Sequence, residues 1–449
     1  PMSEEKRVQG ARDIALDALM QVERANAWSD EGLRRGITRG GLDSRDAALA
    51  ARIAYGVMQN RMLLDFYIGC WCSQKVARLE PVIRNILRVG AYQILFLDKV
   101  PQHAAVSEAV EMTRRHGRPK AAGMVNAILR RIGANREHMP ELPHESPEEY
   151  LSVRYSHPRW LVRRLLELLG PEEAEEYLRL DNEPVPTCIQ TNFLKTDAPH
   201  LERELRGAGL TVQAHPWLAG CFLVTGTGDL EKLPAFREGR FMVQDAAARL
   251  VSLVAAPGVR SRVLDVCAAP GGKSFALAID MQDGGEILSC DVYPHKLRLI
   301  ESGAQRLGIG SVRALLADAR EHHAAWDRQA DLVVADVPCS GLGIIRKKPD
   351  IRYKNPRELA QLPALQRSIL ENAAGYVRPG GTLVYSTCTI LPEENQDVTA
   401  DFLRAHPDFA LERFTLPQPI GPRAGQLTLW PQRFGTDGFY ICRMHRNEA

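Results

Sequence analysis

The stretch Val263-Leu-Asp-Val-Cys-Ala-Ala-Pro-Gly-Gly-Lys-Ser274 limits the possible folds more than any other part of the chain. An apolar strand runs straight into a glycine pair and from there into a helix. Glycine in such a turn lets the backbone approach a ligand without a Cβ clash. Around it, short runs rich in Val, Leu and Ile (Arg262–Val266, Glu286–Cys290, Val312–Leu316, Leu332–Asp336 and Thr382–Tyr385) alternate with helical stretches at Ser274–Met281, His295–Leu307 and Ala360–Tyr376. Continuously apolar strands suit a parallel sheet covered on both faces. The pattern predicts a doubly wound, Rossmann-like α/β domain over residues 241–449, with its ligand at the carboxyl ends of the strands.

The loop argues against a dinucleotide or a nucleoside triphosphate. Its glycines match neither the spaced Gly-x-Gly-x-x-Gly pattern nor a P-loop. Pro270 also removes a backbone donor that phosphate oxygens would use. Asp291 ends the second strand, where a carboxylate accepts both ribose hydroxyls. Asp318, just past the third strand, is placed to accept from an adenine amino group or, more plainly, to cap a loop or helix.

Two further strands end in thiols. Asp331-Leu-Val-Val-Ala-Asp-Val-Pro-Cys-Ser-Gly-Leu-Gly343 puts Asp336 at a strand end and Cys339 just beyond it, and Gly381–Asn395 carries Cys388 at the equivalent place. One buried cysteine is usually packing. Two at neighbouring strand ends beside a ligand loop point to thiol chemistry. Cys290, embedded in an apolar strand, is expected to be inert, and Cys267 to line the loop through its backbone. Arg346, Lys347, Lys348, Arg352 and Lys354 follow Cys339 closely with Tyr353 among them, a composition suited to gripping phosphates and stacking a base.

The remainder of the 449 residues divides into a basic helical part and a small mixed part. Residues 7–135 read as five to seven helices, with Ser44 as an expected N-cap, and form a domain over 1–135. That domain carries 21 Lys and Arg against 14 Asp and Glu, a net of +7, while the rest nets −5. The basic half suits a polyanion, or is an ordinary arginine-rich helical surface. The proline-rich segment 136–149 reads as a linker. A small α+β domain over 150–240 follows, with helices at Pro158–Leu169, Glu172–Arg179 and Ala198–Gly207 and strands at Thr187–Asn192, Thr211–Ala214 and Phe222–Val224. It is either an RNA-docking element or a spacer.

Nine cysteines without a secretion pattern suggest reduced thiols and a cytoplasmic protein. No apolar run approaches membrane-spanning length. The acidic start Ser3-Glu4-Glu5 leads into no signal segment, and Pro1 ahead of Met2 reads as foreign to a natural start. Cys70-x-Cys72 and His322-His323 lack a completing ligand set, so no metal is expected.

On Val263–Ser274, Asp336-Val-Pro-Cys-Ser-Gly341 and Ser386-Thr-Cys-Thr-Ile-Leu-Pro-Glu-Glu-Asn395, the chain resembles the RNA 5-methylcytosine methyltransferases of the NOL/NOP2/Sun group. Its helical start resembles NusB, an RNA-binding antitermination factor. The fusion of the two is similar to bacterial 16S ribosomal RNA cytosine-C5 methyltransferases. The resemblance implies S-adenosylmethionine contacts from Cys267, Ala268, Ala269, Pro270, Gly271, Gly272 and Lys273, and from Asp291, Asp318 and Asp336. It implies Cys388 as the nucleophile and Cys339 as the group that assists release. Val337 stands where the group more usually has alanine, and Thr389 where it has serine; neither changes a reactive group.

The expected activity is methyl transfer to C5 of a single-stranded or loop cytosine in 16S ribosomal RNA, through a covalent Cys–C6 adduct, by a monomer. Asp336 is expected to bind N3 and N4 of the base, either protonated or bridged to it. Transfer RNA is the alternative substrate. An NAD-dependent oxidoreductase and a non-catalytic RNA-binding scaffold are the competing classes. The first has no use for two strand-end thiols, and the second no reason to keep an intact site.

Overall fold

The computed structural model describes residues 10–25, 30–226, 228 and 230–448. The acidic start and Pro1 lie outside the described residues. Contacts divide the chain into two units, one of residues 1–183 with 345–354, the other of residues 184–344 with 355–449.

In the first unit, α-helices span Ala11–Ala25, Asp30–Gly40, Ser44–Gln59, Arg61–Trp71, Pro81–Phe96, Gln102–Arg115 and Ala122–Ala134. Their apolar faces meet in one core that includes Ile14, Leu16, Ile53, Leu64, Ile86, Leu87 and Leu129. Asp43, not the expected Ser44, caps the third helix: its extended backbone lets the carboxylate accept from Asp46 N at 2.8 Å, and Ser44 is the first helical residue. The helical unit does not end at 136–149. Helices Pro147–Tyr155 and Arg159–Leu180 belong to it, and Ser156 Oγ accepts from Leu63 N at 3.1 Å. The longer helix is broken at Gly170 (φ 76°) ahead of Pro171, which restores the two helices read from the sequence.

The segment 345–354 carries the main correction to the sequence reading. Arg352 is fully buried rather than presented to RNA. Its guanidinium donates to the carbonyls of Gln59 and Tyr155 at 3.1 Å, of Ser156 at 3.3 Å and of Asp181 at 3.4 Å, and to Asn182 Oδ1 at 2.9 Å. Helix-end and turn carbonyls have no helical partner of their own, and a five-donor fork satisfies several at once. Tyr353 is likewise engaged: its hydroxyl donates to Met58 O at 2.9 Å, and Arg61 covers its ring at 3.6 Å. Of the expected cationic grip, Lys347 and Lys348 are exposed and Arg346 and Lys354 half-buried.

The second unit holds two sheets. In the smaller, strands β1 (Thr187–Thr191), β2 (Thr211–Ala214), β3 (Cys221–Thr225) and β4 (Phe241–Val243) pair antiparallel in the order β2-β3-β1-β4. Helix Ala198–Gly207 contributes Leu201 and Leu205 to a core with Ile189, Phe222 and Phe241.

The larger sheet comprises β5 (Arg262–Asp265), β6 (Glu286–Asp291), β7 (Val312–Leu316), β8 (Ala330–Asp336), β9 (Val377–Thr387) and β10 (Phe409–Leu411). A separate ribbon of β11 (Phe414–Thr415) and β12 (Pro422–Arg423) follows, and then β13 (Gln426–Leu429) and β14 (Phe439–Arg446) rejoin the sheet. The order is β10-β14-β9-β8-β5-β6-β7, with β13 on β14. Strands β5 to β9 are parallel, and β14 runs antiparallel against β9. The five expected parallel strands are all present, flanked by helices Gly272–Asp280, Pro294–Leu307 and Leu362–Tyr376. The strand order reverses at β5, so the loop leaving β5 opens where ligands of such sheets bind. No helix among the described residues is long and apolar enough to cross a membrane.

Candidate active site

The loop after β5 is shaped for close approach. Gly271 has φ 108°, and a Cβ there would strike the Phe275 ring, so only glycine fits the turn. Gly272 opens the following helix without a side-chain cap, Ala268 N donates to Cys290 O at 2.8 Å, and Pro270 is exposed. Burial and the nearby carboxylates of Asp265, Asp336 and Asp291 push the Cys267 thiol well up, which suits a lining residue and not a nucleophile.

At the end of β6, Asp291 is nearly buried, and its Oδ1 accepts from Tyr293 N at 3.0 Å. The next residues, Val292 and Tyr293, expose large apolar surfaces. A carboxylate beside an uncovered apolar pair, next to an uncapped helix start, fits the ribose, adenine and amino-acid carboxylate of S-adenosylmethionine. Asp318 is committed differently: Arg320 engages both carboxylate oxygens and donates its own backbone N–H to Oδ1 at 2.9 Å, holding the carboxyl below its usual range. This is the loop-capping role weighed from the sequence, with one exposed arginine as its partner.

The ends of β8 and β9 carry the reactive groups. Asp336 and Ser386 are register partners on the two strands, and Ser386 Oγ donates to Asp336 Oδ1 at 2.7 Å. Lys273, expected with Asp336 as a cofactor contact, pairs with Asp336 Oδ2 at 2.5 Å. Just beyond, Cys339 Sγ and Cys388 Sγ are 3.3 Å apart. The contact with Cys339, in which either sulfur can donate, holds the Cys388 thiol below its ordinary value; burial and Asp336 oppose this, and the Lys273 cation assists. Cys339 is pushed well up by the same contact and by burial. Of the two thiols, Cys388 is thus shifted down and Cys339 up. Cys290 is buried and pushed up to about 12, as its inert reading requires.

A buried polar clamp holds the two thiol loops together; its residues lie in the quoted motifs without a role there, except Gln366, which comes from the helix Leu362–Tyr376. Glu394 Oε2 accepts from Ser340 N at 2.9 Å and from Gln366 Nε2 at 2.8 Å. Gln366 Nε2 also donates to Pro338 O at 3.0 Å. Ser340 Oγ bonds Thr389 Oγ1 at 2.6 Å, so the threonine found in place of serine keeps the hydroxyl that the clamp uses. Asn395 Nδ2 donates to Thr389 O at 3.0 Å and its Oδ1 accepts from Thr387 Oγ1 at 2.6 Å. Gly343 N donates to Cys388 O at 3.0 Å. Val337 is buried among apolar neighbours, and the alanine-to-valine departure is absorbed there. Among the described residues, no group of three or more His, Cys, Asp or Glu side chains is arranged to hold a metal ion.

Comparison with known proteins matches this arrangement part by part. Residues 252–445 match the model of the 16S rRNA methyltransferase RsmB/F family, residues 9–134 that of the NusB family, and residues 157–231 that of the ferredoxin-like domain of RsmF/B-like methyltransferases. The chain is 37% identical to a probable ribosomal RNA small subunit methyltransferase B of Bacillus subtilis, over 97% of this chain and 98% of that one. It is 32% identical to the protein of the same description from Synechocystis, over 97% and 99%. Among solved structures, PH0851 superposes with a TM-score of 0.81 at 29% identity, covering 96% of this chain and 98% of its own. The NSun6 structure from Pyrococcus horikoshii shares the fold at a TM-score of 0.57 and 22% identity, over 65% and 99%. With the full-length identity to these relatives added to the NusB-like, ferredoxin-like and Rossmann-like parts, the chain belongs to the ribosomal RNA small subunit methyltransferase B family.

Proposed function

We propose that this chain transfers a methyl group from S-adenosylmethionine to C5 of a cytosine in 16S ribosomal RNA, with Cys388 as the nucleophile. The observation that carries the proposal is the pair of thiols 3.3 Å apart beside the Lys273–Asp336 pair. Cys267 to Gly272 and Asp291 would hold the cofactor, with Asp318 at the rim. When bound, S-adenosylmethionine supplies an electrophilic methyl group.

Cytosine C5 is too weak a nucleophile unaided. Addition of the Cys388 thiolate to C6 makes the ring enamine-like, with electron density at C5. The Asp336 carboxylate accepts from the N4 amino group, and the Lys273 ammonium beside it stabilises negative charge developing around N3. Asp336, expected either protonated or bridged to the base, meets the Lys273 ammonium at its Oδ2. After transfer the C5 proton must leave and the C6–S bond must break. Cys339, adjacent to the sulfur being expelled, first passes its own proton to water; it then takes up the C5 proton directly or through water, which restores its thiol, and the C6–S bond breaks to return Cys388 as thiolate. The base must be unstacked to reach these groups, so single-stranded or loop cytosines are the substrate.

Arg346, Lys347 and Lys348 remain the proposed phosphate contacts. Within the helical unit, Lys348 and Lys354 line a cavity of about 660 Å³ with Arg61 and with Arg84 and Arg88, the last two paired there with Glu23 and Asp65. Incubating the protein with S-adenosylmethionine and 16S or transfer RNA, then bisulfite sequencing, tests the assignment. A 5-methylcytosine appearing in 16S RNA alone is expected. Methylation of transfer RNA alone would overturn the substrate, and calorimetric binding of NAD in place of S-adenosylmethionine would overturn the class.

A further inference from the structure

The two thiols have a property that methyl transfer does not use. Two sulfurs 3.3 Å apart need approach by only about 1.2 Å to reach covalent S–S distance. Their loops are already tied side by side by the Gly343–Cys388 backbone bond and by the Ser340–Thr389 and Ser340–Glu394 side-chain bonds. Neither cysteine is fully covered, whereas Cys188, Cys221, Cys290 and Cys442 are buried. We propose that Cys388 and Cys339 form a peroxide-sensitive pair that closes to a reversible disulfide and thereby switches the enzyme off.

The chemistry balances with a hydroperoxide as the oxidant. The Cys388 thiolate attacks one oxygen of hydrogen peroxide, giving the sulfenic acid and hydroxide. The Cys339 sulfur then attacks the Cys388 sulfur; its proton and the sulfenic hydroxyl leave as water, and the S–S bond forms. In sum two thiols and one peroxide give one disulfide and two waters, and a dithiol reductant reverses the step. The ordering follows from the thiols themselves. Cys388 is held low by the contact with Cys339, while burial pushes Cys221, Cys290 and Cys442 up to about 11, 12 and 12. A resolving thiol in contact also stops oxidation at a reversible stage, because the sulfenic acid is consumed before a second peroxide arrives.

That the pair closes follows from geometry alone; that closure silences methylation rests on the proposed role of Cys388. The experiment keeps the two apart. The full chain is treated with hydrogen peroxide, and intact mass, peptide mapping and methyl transfer are measured before and after dithiothreitol. A loss of about 2 Da, a linked Cys339–Cys388 peptide, and methylation that falls with the linked fraction and returns on reduction are expected. In Cys339→Ser, Cys388 should instead gain two or three oxygens that dithiothreitol does not remove. Wild-type protein that gains oxygens at Cys388 without the linked peptide, or that links other cysteines, overturns the pair. A linked peptide with methylation unchanged leaves the pair standing and overturns the switch and the nucleophile assignment together.

Discussion

Replacing Glu394 tests whether the buried clamp is what holds the two thiols in register. The carboxylate is about 1% exposed, and its Oε2 receives both Ser340 N and Gln366 Nε2. In Glu394→Ala, the Ser340 amide loses its partner in a buried setting. Gln366 keeps Pro338 O and loses one of its two bonds. A buried donor left unsatisfied costs about 1–3 kcal/mol, so two losses, softened by any water that enters the vacated space, amount to about 2–4 kcal/mol. Glu394→Gln keeps an acceptor for Ser340 and Gln366 and gives up charge assistance and the long 3.4 Å bond from Thr389 Oγ1 to Oε1, for about 1 kcal/mol. Urea unfolding monitored at the second unit measures the stability, and amide exchange at Ser340 reports the clamp directly. Alanine should destabilise more than glutamine and speed exchange at Ser340. Equal effects of the two variants, or an alanine variant within about 0.5 kcal/mol of wild type, would refute the reasoning.

Asp265 predicts a pH dependence of stability. Burial pushes its carboxyl up to about 6, despite the 2.7 Å bond from Ser274 Oγ, against about 4 in an unfolded chain. Below about pH 4 the group is protonated in both states; between about 4 and 6 only the unfolded chain releases its proton, so stability falls through that window and stays about 2–3 kcal/mol lower above it. Asp265→Asn should therefore raise the melting temperature at pH 7.5, with the gain closing below pH 4; a gain independent of pH would count against burial as the cause. Lys273→Met removes a cation that helps hold Cys388 low, so iodoacetamide labelling of Cys388 should slow several-fold at pH 7.5 and shift its midpoint upward, and an unchanged profile would remove Lys273 from the site's electrostatics. Arg352→Met should destabilise the helical unit and leave the salt dependence of RNA binding unaltered, whereas neutralising Arg346, Lys347 and Lys348 together should flatten it. The reverse pattern would return Arg352 to the RNA surface.

The larger sheet was readable because parallel strands leave a strong trace: Val263-Leu264, Ile287-Leu288, Leu332–Ala335 and Leu383–Tyr385 are apolar and mostly buried, and the proposed chemistry sits where those runs stop; the edge strand β7, expected to be buried on both faces, instead leaves Leu315 and Leu316 exposed. The C-terminal strand β14 escaped because its run Phe439-Tyr-Ile-Cys-Arg-Met-His-Arg446 mixes apolar and cationic residues, and only antiparallel pairing to β9 and β13 decides its state. Arg352 misled for a different reason. A cation in a Lys/Arg-rich segment reads as solvated, and nothing local announces the carbonyls of Gln59, Tyr155, Ser156 and Asp181, which come from distant parts of the chain. The Lys273–Asp336 pair spans 63 residues and was hidden for the same reason. The same holds for the clamp: Glu394 and Asn395 were visible as residues, but their partners Ser340, Gln366 and Thr389 become neighbours only once β8 and β9 lie side by side.

The division of labour between the two thiols is the centre of the account, and denaturing gels with labelled RNA test it most directly. Cys339→Ala should still attack the base and accept the methyl group, then stall, leaving a protein-linked RNA band. Cys388→Ala should form no such band and transfer no methyl group. An RNA-linked band from Cys388→Ala, or none from Cys339→Ala alongside an active wild type, would contradict the roles assigned here to the sulfurs 3.3 Å apart.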